Sequence, residues 1–451
     1  MSGSKEASIN LTEGPIGKQI LLFTVPLLLG NVFQQFYNAA DTVIVGKFVG
    51  KEALAAVGSS GALINLLVSL LMGIAVGAGV VVSRYYGAKQ YEEMRATIHT
   101  TIAFGLISGV VLTVVGVLIT PLILQWMQTP ESVMESSVLY FRIYFAGVLT
   151  TVMYNIGSGI FRALGDSKRP LYFLIVSTIV NVVLDLLLVA VLKMGIAGAA
   201  IATVAAQGLS MVLVYWKMIR EDTVYRVDWR AIRIDRHYLR QIIAIGLPSG
   251  IQNAVVSLSN VVVQSNINSF GEIAMAGCGA YSKLDGFALL PSGSFSLALS
   301  TFVSQNIGAK EYERAKKGAA FGLVATMAIS ELAGVCIYFA APTLISFFNS
   351  DPEVIRYGVL MARNIVFAYA LVAYSHGMAG ILRGAGLSRV PMFVMVGCWC
   401  VLRVIWIQLM VPLTQDIRVV FWSYPITWTF SVLILTVYFF KVDWLHKGQL
   451  H

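Results

Sequence analysis

The chain has 451 residues, of which 57% are hydrophobic and only 12% charged, with a mean hydropathy of +0.77. Soluble domains carry about 25% charged residues, so half that share cannot cover a water-facing surface and a soluble globular protein is excluded. The net charge of +9 does not point to nucleic acid, because the basic residues fall in short loops between apolar runs, where they set orientation in a membrane.

In chain order, residues 1–15 are polar and hold no apolar signal-peptide core, so the first apolar run is expected to stay in the protein. Twelve stretches then meet the length of about 20 mostly apolar residues that a membrane helix needs. They run over 16–45, 53–83, 95–123, 134–160, 170–192, 195–216, 238–268, 273–306, 316–346, 355–381, 390–411 and 419–440. Glycine or proline marks many joins, among them Gly46, Gly87, Pro130, Gly165, Gly271, Gly308, Pro352 and Gly386. Pro26, Pro248 and Pro291 fall inside spans and are expected to kink them, because each removes a backbone donor and crowds the preceding turn.

Of the 32 Lys and Arg, 23 fall on the side of the N-terminus, five on the other side, and four (Arg142, Lys283, Arg363, Arg403) inside spans. Both termini are therefore expected in the cytoplasm. The four cysteines, Cys278, Cys336, Cys398 and Cys400, lie in apolar segments and show neither metal-ligand spacing nor a disulfide framework.

The chain repeats itself. Val82-Ser-Arg-Tyr-Tyr-Gly-Ala-Lys-Gln-Tyr-Glu92 matches Val303-Ser-Gln-Asn-Ile-Gly-Ala-Lys-Glu-Tyr-Glu313, and Gly159-Ile-Phe-Arg-Ala-Leu-Gly165 matches Gly380-Ile-Leu-Arg-Gly-Ala-Gly386, both at an offset of 221. Pro26 matches Pro248 at 222. Six spans per unit is an even number, so both halves begin on the same side and the repeat is parallel. The expected fold is all-α and polytopic, with twelve transmembrane helices in two six-helix lobes related by a parallel pseudo-twofold repeat. Its parts are a cytoplasmic segment 1–15, an N-lobe 16–216, a basic linker 217–237, a C-lobe 238–440 and a cytoplasmic tail 441–451. Such a fold suits a solute carrier with a central cavity. No G-x-x-x-x-G-K-[ST] loop for ATP is present, so the driving force is expected to be an ion gradient. Gly77-Ala-Gly79 reads as close helix packing rather than phosphate binding.

Carboxylates at membrane depth then become informative, since they are costly there and tend to face a cavity. Asp41 lies in the stretch Gly30-Asn-Val-Phe-Gln34-Gln-Phe-Tyr37-Asn38-Ala-Ala-Asp41, and Asp185 lies one turn after Asn181 on the same helix face. Tyr140 and Thr203 can add oxygens. Two carboxylates in one apolar lobe can share a proton or hold a cation; the alternative is that Asp41 caps or hydrogen-bonds a neighbouring helix, or pairs with a buried Arg. Gln34, Tyr37, Asn38, Met153, Tyr281, Asp285 and Ser292 are candidates for a substrate cavity, with plain packing as the alternative for Met153 and the aromatics. In the second lobe Lys283, Asp285, Glu331, Arg363 and Arg403 suit salt bridges as well as they suit function.

Phe36-Tyr-Asn-Ala-Ala-Asp41-Thr-Val-Ile-Val-Gly46, Gly159-Ile-Phe-Arg-Ala-Leu-Gly165-Asp-Ser, Asn181-Val-Val-Leu-Asp185 and Val303-Ser-Gln-Asn-Ile-Gly-Ala309 together resemble the multidrug and toxic compound extrusion family. The resemblance spans residues 14–440. It implies a monomeric inner-membrane antiporter in the lipid bilayer, without cofactor or nucleic acid, exporting small organic, mostly cationic or amphiphilic compounds against H⁺ or Na⁺. Its ion site would be Asp41, Tyr140, Asn181, Asp185 and Thr203. Some branches carry acids on the seventh and tenth spans, and this sequence has none there, which places the expected coupling in the first lobe. The rivals are a flippase for lipid-linked saccharides, which calls for a more basic cavity, and a membrane-embedded enzyme, which calls for paired Asp-rich Mg²⁺ motifs. No such motif is present: Asp166, Asp222, Asp228 and Asp235 are isolated. A channel is disfavoured by the six-plus-six repeat.

Overall fold

A computed structural model describes residues 9–49, 69, 71–126, 129 and 131–447. Every regular element in them is helical. In lipid a helix is the simplest way to satisfy each backbone N–H and C=O internally. The helices are α1 (Ile16–Phe48), α2 (Leu71–Gly87), α3 (Tyr91–Trp126), α4 (Glu131–Ala146), α5 (Val148–Ala163), α6 (Lys168–Asp185) and α7 (Gly195–Arg220). After them come α8 (Arg236–Asn268), α9 (Glu272–Ala288), α10 (Leu290–Gly308), α11 (Tyr312–Ser346), α12 (Pro352–Ile365) and α13 (Tyr369–Gly384). The chain ends with α14 (Arg389–Met395), α15 (Arg403–Thr414), α16 (Arg418–Lys441) and the short α17 (Trp444–Lys447). Two π-helical segments, Leu186–Val191 and Val396–Leu402, extend α6 and join α14 to α15.

Among the described residues, ten helical stretches are long and apolar enough to cross a membrane, and the bent pair α4–α5 makes an eleventh. The protein is therefore a multi-pass membrane protein. Most of the expected second span lies outside the described residues, and α2 is its end.

Contacts divide the chain into two units. One holds the residues before Leu11 with Val25–Leu247, the other Leu11–Thr24 with Pro248 onward. In the first, α3 packs on α4 and α5, and α7 on α4, α5 and α6. In the second, α10, α11 and α13 pack together, and α16 packs on α12, α13 and α15. Two of the three dividing points lie at or next to Pro26 and Pro248, which sit inside helices that continue through them. Pro291 behaves differently: it occupies the first turn of α10, so the helix restarts there.

The repeat extends to the backbone. Lys89 and Lys310 both have φ near +60° (57° and 61°), and Gly165 and Gly386 have 85° and 90°. The α4–α5 break at Gly147 corresponds to the 3₁₀ turn Val366–Ala368 between α12 and α13, at the same offset of 221. The expected single spans 134–160 and 355–381 are thus each broken at one repeat-related point.

Small residues set the closest helix contacts. A Cβ on Gly380 would lie 2.3 Å from the Ser296 carbonyl oxygen, and one on Gly384 2.4 Å from that of Ser300. Gly77 would meet the backbone of Gly246 at 2.5 Å, so this glycine serves helix packing. Beyond α7, the chain folds back on the first unit. The Asp228 N–H donates to His99 Nε2, and the Asp235 N–H donates to the Thr100 hydroxyl. This linker borders a groove of about 1010 Å³ in which arginines and carboxylates alternate. Glu221 accepts from Arg169 Nη2 (3.0 Å) and the Tyr225 hydroxyl (3.0 Å) and pairs with Lys217 Nζ at 2.7 Å. Burial alone would raise its carboxyl, but the hydrogen bonds from Lys217 and Tyr225 and the Arg169 charge outweigh that and hold it below the usual range.

Two outcomes follow from this packing. Gly380→Val should leave little monodisperse protein on gel filtration, because the clash is with backbone on α10. Glu221→Gln should cost about 1 kcal/mol at neutral pH. A carboxyl held low contributes stability above its unfolded pKa and loses it as pH falls through the folded value. Thermal unfolding in detergent should therefore separate the variant from wild type at neutral pH and bring the two together in acid.

Candidate transport site

α1 carries Tyr37 and Asp41 one turn apart, and α6 carries Asn181 and Asp185 one turn apart, so each helix presents a polar pair on one face. Both pairs lie in the first unit. Asp41 and Asp185 are within electrostatic reach of each other. The Tyr37 hydroxyl is close to Thr203, Asp41 and Asp185, and the Tyr140 hydroxyl close to Asp41, Tyr37 and Asp185. Asn181 and Asp185 are wholly buried, at 0% exposure each. Tyr140 packs in an apolar cluster with Ile44 and Val45 from α1, Val189 from the π segment, and Ile196, Ala199 and Ala200 from α7.

The hydrogen bonding is what sets this cluster apart. Many hydroxyls elsewhere in the spans are satisfied by a carbonyl, on their own helix as in Thr24 to the Ile20 carbonyl (2.7 Å) and Thr101 to that of Thr97 (2.7 Å), or on a neighbouring one as in Ser259 to Trp399 (2.7 Å). Here Asp41 Oδ1, both carboxylate oxygens of Asp185 and both amide atoms of Asn181 are buried with no hydrogen-bond partner among the described residues. No Lys or Arg pairs with either carboxylate there, so the alternative of a buried Arg partner for Asp41 is not realised. Buried polar atoms without partners are few in folded proteins and each costs free energy. A set of oxygens converging in one apolar pocket fits a proton or a hard cation that supplies the missing interactions.

The five residues of the expected ion site lie on α1, α4, α6 and α7 of one unit, and Asp41, Tyr140 and Asp185 are within electrostatic reach of one another. Tyr37 joins them, although the sequence reading put it with the cavity residues. Tyr144, whose ring stacks on Tyr140 at 6.5 Å between centroids, is an addition. The i, i+4 spacing of Tyr37 to Asp41 and of Tyr140 to Tyr144 is the sequence signal for both.

The expected cavity residues do not form one group. Gln34 is half-buried and Asn38 exposed. Met153 is packed in the apolar cluster of α3, α5 and α7, as the packing alternative has it, and Ser292 is buried and bonded to the Ser330 hydroxyl at 2.9 Å. Tyr281 and Tyr369 both donate to Asp285 Oδ1, at 3.3 and 2.5 Å. Glu331 accepts the Ala370 N–H at 2.8 Å, just past the break before α13. Arg363 sits 5.6 Å over the Tyr338 ring. Among the described residues none of Lys283, Asp285, Glu331, Arg363 and Arg403 forms an ion pair, and hydroxyls, backbone and aromatic rings meet Asp285, Glu331, Arg363 and Arg403 instead.

A MatE family model matches residues 26–187 and 248–407. The chain is 30% identical over 432 residues to the probable multidrug resistance protein YoeA of Bacillus subtilis (strain 168), covering 94% of this chain and 93% of that one. It is 25% identical over 389 residues to a protein of Shewanella oneidensis named FAD transporter, covering 82% and 85%. In fold it is similar to the outward-facing conformation of a multidrug resistance MATE family transporter of the MOP superfamily, with TM-score 0.91, 22% identity and 99% and 100% of the two chains covered. Folded as these membrane transporters are, and matched by the family over both halves, the chain belongs to the multidrug and toxic compound extrusion (MatE) family of transporters.

Proposed function

We propose that this transporter is an antiporter of the bacterial inner membrane. It exports small organic compounds, mostly cationic or amphiphilic, in exchange for inward H⁺ or Na⁺, with both termini in the cytoplasm. One observation carries the reading: Asp41 Oδ1, both carboxylate oxygens of Asp185 and both amide atoms of Asn181 are buried without hydrogen-bond partners among the described residues. A static scaffold gains nothing from that arrangement, whereas an ion carrier needs a site whose occupancy changes.

In this reading Asp41 and Asp185 take the proton, or with Asn181 and Thr203 hold Na⁺, while Tyr37 and Tyr140 orient the carboxylates. Loading the ion weakens drug binding or bends α1 near Pro26, and the drug leaves. Release of the ion on the other side readies the carrier for new cargo. The thermodynamic requirement is only that ion and drug favour different states of the alternating-access cycle. The carboxylates of this pocket disfavour a pyrophosphate-bearing saccharide cargo.

The test is export of a fluorescent organic cation from reconstituted vesicles under a pH gradient and a Na⁺ gradient applied separately. Wild type should respond to at least one. Asp41→Asn should lower gradient-driven export at least about tenfold while eluting as folded protein; wild-type rates in that variant would remove Asp41 from the mechanism. Asp185→Leu exchanges an unpartnered buried polar group for an apolar one. It should stabilise the protein by about 1–3 kcal/mol in thermal unfolding and abolish coupled export, the exchange of stability for function expected at such a site.

A further inference from the structure

The second unit has a buried charge that the ion site does not use. Arg403 lies near the middle of the 26-residue span Arg389–Thr414 and is 2% exposed. Its Nη2 donates to the Thr427 hydroxyl at 3.2 Å, and its Nη1 reaches Asn260 Oδ1 only at 3.5 Å. The Tyr424 ring covers the guanidinium with its centroid 4.4 Å from Cζ. Nε is buried without a partner.

No carboxylate among the described residues comes within 4 Å of it. The carboxylates inside nearby spans are engaged elsewhere, Asp285 by two tyrosine hydroxyls and Glu331 by a backbone N–H. A guanidinium at membrane depth without a counter-charge is expensive. As a mere tie between α15 and α16 it would be a poor choice, since apolar residues of similar volume replace buried ions at little or no cost.

Two further observations give the charge a setting. α8 shows a polar stripe, Asn253, Ser257 and Asn260 exposed and Gln264 half-buried, within an otherwise apolar span. It repeats the stripe Asn31, Gln35, Asn38 and Thr42 of α1 at a constant offset of 222. Exposed amides are costly against lipid and suit a water-filled face. Asn260, which Arg403 reaches, belongs to this face, so the guanidinium stands one side chain behind it. Arg403 also directly follows a π-helical segment, and Asp185 directly precedes one in the repeat-related span. Such segments are frequent at functional sites.

We propose that Arg403, with Asn260 and Thr427, forms a subsite for an anionic oxygen group, a carboxylate or phosphate carried by a transported solute or by a lipid headgroup. The planar guanidinium fork matches either group with two parallel hydrogen bonds. The long contact to Asn260 is the one that gives way as the anion enters. This rests on the chain being a transporter and is independent of which ion drives it. It gives the chain binding groups of opposite sign in its two units, which widens its cargo to molecules that carry both charges.

The test uses two dyes that differ only in one group: rhodamine 110, with a free carboxylate, and its methyl ester rhodamine 123. Fluorescence polarisation with purified protein in detergent gives both dissociation constants without any gradient, so a failure of ion coupling leaves them untouched. Arg403→Gln should weaken rhodamine 110 at least about tenfold and rhodamine 123 less than about twofold, the loss of one charge-assisted pair. Arg403→Lys should retain part of the preference. Asn260→Asp keeps the arginine and places a carboxylate against it, so it should weaken rhodamine 110 as Arg403→Gln does, and it decides the matter if that variant does not fold. Displacement of rhodamine 110 by phosphatidylglycerol, but not phosphatidylcholine, would identify a headgroup as the anion; no displacement would identify the solute. Equal losses for both dyes, or no loss for either, in well-folded Asn260→Asp would overturn the proposal.

Discussion

The structure depends on one constraint: in an apolar surrounding every polar group needs a partner, and water does not supply it. Most of this chain meets the constraint locally. Threonines and serines turn back to carbonyls on their own helix, as Ser294 does to Leu290 and Thr427 to Ser423. Glu331 caps the N–H freed where α13 begins. Glycines let backbones touch where side chains would hold them apart. Single hydroxyls without a hydrogen-bond partner, such as Ser137, Ser210 and Thr326, are scattered, but Asp41, Asn181 and Asp185 together leave five buried atoms unmet in one unit, and Arg403 leaves its Nε unmet in the other. Free energy spent in that way marks places where something outside the chain completes the bonding.

The two units share a scaffold and differ in chemistry. Turn residues with positive φ recur at matched positions, broken helices break at matched positions, and the α1 stripe is repeated on α8. Yet Asp41 has a valine, Val262 or Val263, at its repeat position, and the span that holds Asp185 in one unit holds Arg403 in the other. In the proposed reading, duplicated packing with divided charge gives one unit a cation or proton site and the other an anion-binding group.

Much of this was legible in the residues. Span positions followed from apolar length, because lipid thickness fixes it, and the repeat followed from two motifs at one offset. Asp41 and Asp185 stood out because a charge in an apolar run is rare. What was not legible depended on tertiary packing. The break at Gly147 has no proline to announce it. Met153 and Ser292 look like cavity residues in isolation, yet one is filled around and the other paired with Ser330. Arg403 could be read as half of a salt bridge until its surroundings showed hydroxyl, amide and ring instead. The α8 stripe was present as an i, i+4, i+7 pattern, but it carries no charge and so attracts less notice than its partner on α1.

The central claim is that the first-unit pocket holds the driving ion and that cargo and ion exclude one another. Linkage makes this measurable without a membrane, because two ligands that favour different states must each weaken the other's binding. Purified protein in weakly buffered detergent solution is titrated with a fluorescent organic cation while released protons are followed with a pH indicator and bound radioactive Na⁺ is counted. The account predicts that cargo binding expels one or the other, and that Asp41→Asn expels neither. Tight cargo binding to wild type with no release of either ion would contradict it.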